Sequence, residues 1–341
     1  MDLQQLRVFR EAAKTGGFTR AGAELRLSQS TVSLHIKRLE EELGCLLFQR
    51  ARKRVYLNDA GRLLLEHSER IFSALRDAEM AIGELTKQQR GVIRLGSGAT
   101  TLTYLLPRVL GAQQKRHPEI ELVITTSSSE MLALGVHQQK LDMAVVMQPV
   151  DPSLEVEWLP LLREELVFIV NAGHAIADKR FLLAEDVRDI PFISFHQGSA
   201  MRAHVDRELE ALQIVPRITM EFENIEAIKA MVRSGLGAAI LPACSVQGGQ
   251  SAIRAMRFRD HPMGRDLLLA LPRSSYIPRP IANFANRLAK GLTGKNIQQL
   301  RDASRDDKLH RPIPPATSKS RGGGSRAFSV GRIDDVVRFN R

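Results

Sequence analysis

The chain has 341 residues, of which 43% are apolar and 26% charged, and its net charge is +11. That length holds two or three domains with cores of their own, and that composition excludes a wholly disordered polymer. The charge sits at the ends (net +4 over residues 1–90, +1 over 91–290 and +6 over 291–341), so a polyanion is expected there and not on the middle.

Cys45 and Cys244 are the only cysteines and lie far apart, which argues against a disulfide framework and fits a reducing cytosol. The stretch Met1–Arg7 carries neither a basic segment nor an apolar run, so no signal peptide is expected. No stretch approaches the ~20 apolar residues that span a bilayer. The expected location is cytoplasmic, with no membrane partner.

Asp2 is placed to cap a first helix with Leu6, Phe9 and Ala13 on one face, ended by Gly16-Gly17. Thr19 opens a second helix whose Ala21 and Leu25 face inward. Gly22 within it costs ~1 kcal/mol relative to Ala, unless close packing requires it. Ser28 suits the N-cap of a third helix, where Val32, Ile36, Leu39 and Leu43 form one apolar stripe. The opposite face holds Ser30, Leu34, Lys37 and Glu41, flanked by Ser33 and Arg38.

Gln29, Ser30 and Ser33 suit base edges, and Lys37 and Arg38 suit phosphates. Thr31 and Leu34 complete this candidate set. Taken alone, the helix fits a solvated amphipathic surface as well as a DNA-reading one. Its neighbours tip the balance. Leu46-Leu47-Phe48 reads as a strand, Gln49–Arg54 as a basic turn and Val55-Tyr56-Leu57 as a returning strand. The tip of this β-wing carries Arg50, Arg52, Lys53 and Arg54, cations suited to phosphates or a minor groove.

The segment Phe18–Ser33, the runs Leu39–Gly44 and Leu47–Arg50, and Leu57-Asn58-Asp59-Ala60-Gly61 resemble the LysR-type transcriptional regulators. The resemblance runs from Met1 to about residue 290. It departs at Gly22, where the family usually has Ala, at Ser30, where Pro is common, and at Leu34, where Arg is frequent. An exposed Leu34 on a reading face is expected to pack on a thymine methyl group.

Asn58 is placed to cap a helix running to about Gln88, ~45 Å long. Leu64, Ile71, Ala78 and Leu85 fall seven apart, with Leu75 and Ile82 between them and Ser68 breaking the second series. So long a heptad stripe usually finds a partner helix. The resemblance implies that two such helices pair, giving a homodimer that presents two recognition helices to an inverted repeat of double-stranded operator DNA. It also implies RNA polymerase as a partner and a homotetramer as a further assembly.

From Gly91 strands and helices alternate. Val92–Gly96 reads as a strand, Thr101–Gln114 as a helix, Ile120–Ile124 as a strand, Glu130–Gln138 as a helix and Leu141–Val146 as a strand. This order implies a parallel sheet covered by helices. A second unit is expected to begin near Glu165–Val170 and to include Phe192–Phe195, a helix over Ala200–Leu212 and the run Gly235–Pro242. Leu267–Leu271 and a helix over Pro280–Lys290 return to the first unit. The resemblance implies two α/β subdomains with a cleft, like periplasmic binding proteins.

In such sheets ligands sit beyond the strand C-termini, at helix N-termini whose N–H groups favour anions. The loops there supply Ser97, Thr100, Thr101, Ser128, Ser129, Gln148, His196 and Ser199, and Arg202 one turn further on could meet a carboxylate. Any one of these hydroxyls could equally be a plain N-cap. Together they favour a small anionic or polar effector.

Two other classes compete. A solute-binding protein would account for residues 91–290 but not for the basic N-terminal domain. An α/β enzyme is disfavoured. Gly96–Thr101 lacks the third glycine of a dinucleotide loop, no Gly-x-Ser-x-Gly elbow is present, and no His lies at zinc-ligand spacing from another His or Cys. No metal, cofactor or catalytic residue is expected. A cysteine redox switch is disfavoured because the regulatory half holds Cys244 alone.

The expected architecture is therefore α+β multidomain. A winged helix-turn-helix covers 1–57 and a linker and dimerisation helix 58–88. An α/β periplasmic-binding-protein-like effector domain follows, with subdomain I over 91–161 and 267–290 and subdomain II over 162–266. Residues 291–341, rich in Arg, Pro, Ser and Gly, read as a disordered basic tail.

Overall fold

Asp2 starts the first helix as its position predicts. Its side chain accepts from the Gln5 backbone N–H (2.7 Å), and the Gln5 side chain accepts in return from the Asp2 backbone N–H (2.8 Å). The computed structural model describes residues 1–51, 54–85, 91–246, 252–273, 276–306 and 336–338. The chain divides into two units, one of Met1–Ile82 with Gln138–Lys140, the other of Gly83–His137 and Leu141–Arg341.

In the first unit, α1 (Leu3–Thr15), α2 (Phe18–Leu25) and α3 (Gln29–Leu43) bury Val8, Phe9, Ala12, Ala21, Val32, Ile36 and Leu39 in one core. Leu43, expected in the buried stripe, is exposed, because α3 has already passed the core when it ends at Gly44. Gly22 is required by packing: a Cβ there would press on the Leu27 carbonyl in the turn between α2 and α3.

The wing is a hairpin of β1 (Phe48–Ala51) and β2 (Arg54–Leu57), paired from Phe48↔Leu57 to Ala51↔Arg54. Its ladder is shifted from the expected strand over Leu46–Phe48. Glu40 of α3 accepts from the backbone N–H of Leu47 (2.7 Å) and of Phe48 (3.4 Å), tying the start of the hairpin to α3. Pairing starts at Phe48 and takes Gln49, Arg50 and Ala51 into β1. The Phe48 ring packs on Phe9 (5.4 Å between centroids) and edge-on against Phe18 (5.5 Å), which fixes the wing to the helices.

The long helix α4 (Asp59–Leu85) is capped by Asn58, whose side chain accepts from the Gly61 N–H (2.8 Å) and donates to the Leu46 carbonyl (2.7 Å). At Gly61 a Cβ would overlap the Leu47 carbonyl oxygen and crowd Leu57. Gly61→Ala is therefore expected to cost about 1–3 kcal/mol by overpacking, read as a lower midpoint in thermal unfolding of the N-terminal helices. An unchanged midpoint would show that this contact yields without cost.

The second unit begins with β3 (Gly91–Ser97), α5 (Ala99–Tyr104) and α6 (Pro107–Arg116). Sequence periodicity predicts one helix over 101–114; the structure breaks it at Leu105-Leu106, and Pro107 opens a new helix at its first position, where a missing N–H costs nothing. Then follow β4 (Ile120–Thr126), α7 (Ser129–His137), β5 (Met143–Met147) and the 16-residue β6 (Val156–Asn171). β7 (Pro191–Phe195), α8 (Ala200–Ala211), β8 (Arg217–Phe222), α9 (Ile225–Arg233), β9 (Ala239–Pro242) and β10 (Ile253–Met256) continue the chain. β11 (Gly264–Pro272), α10 (Arg279–Thr293), α11 (Ile297–Asp306) and the short β12 (Val336–Arg338), antiparallel to β4, complete the described elements.

β4, β3 and β5 lie side by side and parallel, and β5 is buried along its whole length. β11 runs antiparallel between β5 and β6. The last residues of β6 then pair with β9 and β10, while β7 pairs in parallel with β8. The segment Glu165–Val170, expected to open a second unit, carries the pairing to β9 and β10. It is the far half of a strand that starts at Val156, so the expected boundaries at 161/162 and 266/267 fall inside β6 and β11.

The expectation of a disordered tail also needs correction at its start. α11 buries Ile297 and Leu300, and Arg301 makes a two-pronged pair with Glu157 of β6 (2.7 Å for each contact). Residues 307–335 and 339–341, where the rest of that expectation falls, lie outside the described residues.

Candidate functional site

At the N-terminus of α3 the Ser28 side chain accepts from the Thr31 N–H (3.1 Å) and lies 2.7 Å from the Ser30 hydroxyl and 2.8 Å from that of Thr31. Ser30 and Thr31 thus help to build the cap. Gln29, Leu34, Lys37 and Arg38 are exposed, and Ser33 is half-buried beside them. Lys37 pairs loosely with Glu41 (3.5 Å) in full contact with water, leaving its ammonium ready to exchange that partner for a phosphate. Wing residues Arg52 and Lys53 lie outside the described residues. The backbones of Arg50 and Arg54 lie in β1 and β2, and their side chains are outside the description.

Leu34 is 47% exposed in the middle of this face. Selecting binding sites with wild type and Leu34→Arg should give different preferences at one base position, a thymine contact being exchanged for a guanine contact. Identical preferences would remove Leu34 from base reading.

The expected α4 stripe divides in two. Leu64 packs against the core of its own helix-turn-helix and Ile71 is half-buried, whereas Leu75, Ala78 and Ile82 are exposed. Leu64, expected as a dimer contact, is engaged with the core of its own domain. The side chain of Leu85 is outside the description. Arg10 of α1 grips Glu69 with two hydrogen bonds (2.7 and 3.0 Å) and lies over the Phe72 ring (4.4 Å), so α4 leaves the domain at a fixed angle.

In the second unit the parallel register brings Ser97 level with Thr126 and Val145, so the loops after β3, β4 and β5 share one edge. The Ser129 side chain accepts from the Met147 N–H (2.9 Å) and Ser128 from the Met131 N–H (3.3 Å). Ser97 and Thr101 are buried, Thr100 and Gln148 half-buried. At the second group of strand ends, the His196 N–H donates to the Phe222 carbonyl (3.1 Å), and the His196 Nδ1 is buried without a hydrogen-bond partner. Ser199 caps α8 by accepting from the Arg202 N–H (3.1 Å).

Arg202, expected to meet a carboxylate of the effector, meets carboxylates of its own chain. Its guanidinium donates to Asp206 (2.8 Å), Glu221 (2.7 Å) and the Phe195 carbonyl (3.1 Å), and two carboxylates already neutralise it. The Arg202 contact in turn holds the Glu221 carboxyl below the usual carboxylate range.

Three residues that the sequence did not single out join α5 to α9. Tyr104 at the end of α5 hydrogen-bonds Glu226 in the first turn of α9. The Lys229 ammonium lies 2.8 Å from Glu226, 3.4 Å from the Tyr104 hydroxyl and 5.3 Å from the centre of its ring. Lys229 is only 3% exposed. One signal was legible: Lys229 interrupts the buried stripe Ile225, Ile228 and Val232, and a cation within an apolar stripe needs a partner.

A second buried group sits where β6 and β11 pair, with Arg265 opposite Glu164. Arg265 donates from Nε to Glu164 (2.6 Å), its Nη2 lies 2.5 Å from the same oxygen without hydrogen-bond geometry, and the Cys244 thiol donates to the other carboxylate oxygen (2.6 Å). Burial and the Glu164 carboxylate push the Cys244 thiol up to about 12, so it stays protonated and poorly nucleophilic at neutral pH. Among the described residues no group of three His, Cys, Asp or Glu could hold a metal ion, and no helix is long and apolar enough to cross a membrane.

Comparison with known proteins adds to this geometry. Residues 3–62 match the bacterial regulatory helix-turn-helix protein family of lysR type, and residues 86–293 match the LysR substrate binding domain. A protein of Synechocystis sp. named as a probable RuBisCO transcriptional regulator is 34% identical over 250 residues, covering 72% of this chain and 72% of its own. One of the same name from Phaeodactylum tricornutum is 30% identical over 295 residues, covering 84% of this chain and 96% of its own. Among solved structures, a full-length OxyR variant from Pseudomonas aeruginosa superposes with a TM-score of 0.67 at 24% identity, over 86% of this chain and 94% of its own. CbnR in complex with its target DNA gives 0.63 at 21% identity, over 85% of this chain and all of its own. At those identities the two structures speak for the fold alone.

Proposed function

The chain belongs to the LysR-type transcriptional regulators, DNA-binding proteins with an effector-binding domain, and from that premise we propose how its residues divide the work. Gln29, Ser33 and Leu34 read base edges in the major groove of double-stranded operator DNA, with Lys37, Arg38 and the wing cations Arg50, Arg52, Lys53 and Arg54 on phosphates. Two chains pair through Leu75, Ala78 and Ile82 of α4, so that two α3 helices meet an inverted repeat. Two such dimers form a tetramer, and RNA polymerase is the partner that the bound regulator addresses. The protein works in the cytoplasm and carries out no catalysis of its own.

A small anionic or polar effector binds beside Ser97, Thr100, Thr101, Ser128, Ser129, Gln148, His196 and Ser199. It acts by favouring one arrangement of the DNA-binding pairs over another, which requires different affinities for the two arrangements. The observation that carries the reading is the α3 face, exposed and polar except for Leu34, on a helix whose other side is locked into the core.

Selection of genomic fragments with purified protein tests it. Enrichment of an inverted repeat beside a promoter is the expected result, and binding that is blind to sequence and lost with salt would overturn it. The relatives are named for RuBisCO regulation, so a RuBisCO promoter is the first fragment to score.

A further inference from the structure

Lys229 has almost no contact with water, yet it is held in an apolar stripe between Ile225, Ile228 and Val232. A buried ammonium cannot be left without an anion, since losing its partner costs several kcal/mol. Its partner Glu226, by contrast, is half exposed, with a side-chain relative exposure of 52%. The carboxylate can turn out into water, but the ammonium cannot follow it. The Tyr104 hydroxyl reaches the same carboxylate from α5, so Glu226 is held between α5 on one side and its own helix on the other. The hydrogen bonds from Lys229 and Tyr104 keep the Glu226 carboxyl ionised by lowering it from its ordinary range.

We propose that Lys229 and Tyr104 form the anion-reading corner of the effector site, where the Glu226 carboxylate holds the place taken by the carboxylate or phosphate of a small organic acid. This rests on the reading that the second unit binds an effector. The exchange replaces one anion by another on a fixed cation, so it carries little electrostatic cost. The remainder of the acid then contacts the hydroxyl-rich loops that begin at Ser97 and Ser128, and Tyr104 is released from α9. The internal carboxylate competes as a tethered ligand, at an effective concentration in the millimolar range or above. It therefore sets a threshold below which the effector does not bind.

The test titrates the full chain as wild type, Glu226→Gln and Lys229→Met with succinate and, separately, inorganic phosphate. Ionic strength is held constant with potassium chloride, and thermal unfolding is followed by the fluorescence of Trp158, the single tryptophan. Glu226→Gln should be stabilised by at least one of these anions at a concentration roughly tenfold below that needed by wild type, once the tethered competitor is gone. Lys229→Met should not respond. Equal responses of Glu226→Gln and wild type to both anions would overturn the proposal, as would a wild-type response from Lys229→Met. Met keeps the length and apolar character of the stripe, and should Lys229→Met still fail to fold, Glu226→Gln decides alone.

The two readings fail separately. If a metabolite shifts operator binding equally in all three proteins, the effector reading stands and the anion corner falls. If the anions distinguish the variants but no metabolite alters operator binding, Lys229 and Tyr104 stand as an anion site and its assignment to an effector falls.

Discussion

Arg265→Met is expected to destabilise the second unit by about 3–5 kcal/mol, the usual cost of leaving one partner of a buried ion pair alone. Both side chains are about 95% removed from water, with relative exposures of 6% for Arg265 and 5% for Glu164. Without the guanidinium the Glu164 carboxylate keeps, among the described residues, only the Cys244 thiol as a donor, a weak one. The same change also removes the contact of Arg265 Nη1 with the Met201 sulfur (3.7 Å), a minor loss beside the charge. Urea unfolding followed by Trp158 fluorescence reads this half of the chain, because Trp158 lies on β6. The double change Arg265→Met with Glu164→Leu should recover most of the loss, since no charge is then left buried. A loss below about 1 kcal/mol in the single variant would show that water reaches Glu164 once the arginine is gone. The pair matters for function because it ties β6 to β11 inside the effector domain.

A chain carrying Leu75→Glu and Ile82→Glu is expected to sediment as a monomer and to lose roughly 10²–10⁴-fold in affinity for a two-half-site operator, because the second half-site is no longer bound intramolecularly. Affinity for a single half-site should stay close to that of wild type. Both positions are exposed on α4, at 38% and 61%, so the stability of the N-terminal unit should change by no more than about 0.5 kcal/mol. Leu64→Glu provides the contrast. It lies on the same apolar stripe, in the other heptad series, but packs on the helix-turn-helix core, so it should unfold the domain. Sedimentation and mobility shift on full and half operators separate the two effects. A double variant that remains dimeric would place the dimer contact elsewhere.

Much of the DNA-binding half was legible because its signals are short-range. The Asp2 and Ser28 caps, the stop at Gly44, the apolar stripe Val32-Ile36-Leu39 and the cap at Asn58 each depend on residues within a turn or two of one another. Gly22 could be noticed as a cost but not explained, since its cause is a backbone approach across the turn. The exact ladder of the wing was missed for the same reason: Glu40 reaches seven and eight residues ahead to hold Leu47 and Phe48.

In the effector half, hydrophobic runs identified the strands, but not that Val156–Asn171 is one strand shared by two sheets, because a run carries no record of what pairs on each side. The hydroxyl-rich loops were found from their place after strands. The structure then showed Ser128, Ser129 and Ser199 engaged with backbone N–H groups and Arg202 neutralised by Asp206 and Glu221. The Arg202 partner Glu221 was not legible because it lies 19 residues away, on a strand brought beside α8 only by folding.

By itself, then, the sequence determined the family, the third helix with its exposed polar face and the long apolar stripe, all properties of periodicity and local capping. Only the tertiary structure decided which stripe residues serve the domain's own core, and which charges meet. Tyr104 and Glu226 are 122 residues apart, and Arg265 and Glu164 are 101 apart. Pairs at such separations leave no local pattern, because the contact that gives them meaning exists only when the apolar surfaces of distant strands and helices have packed together.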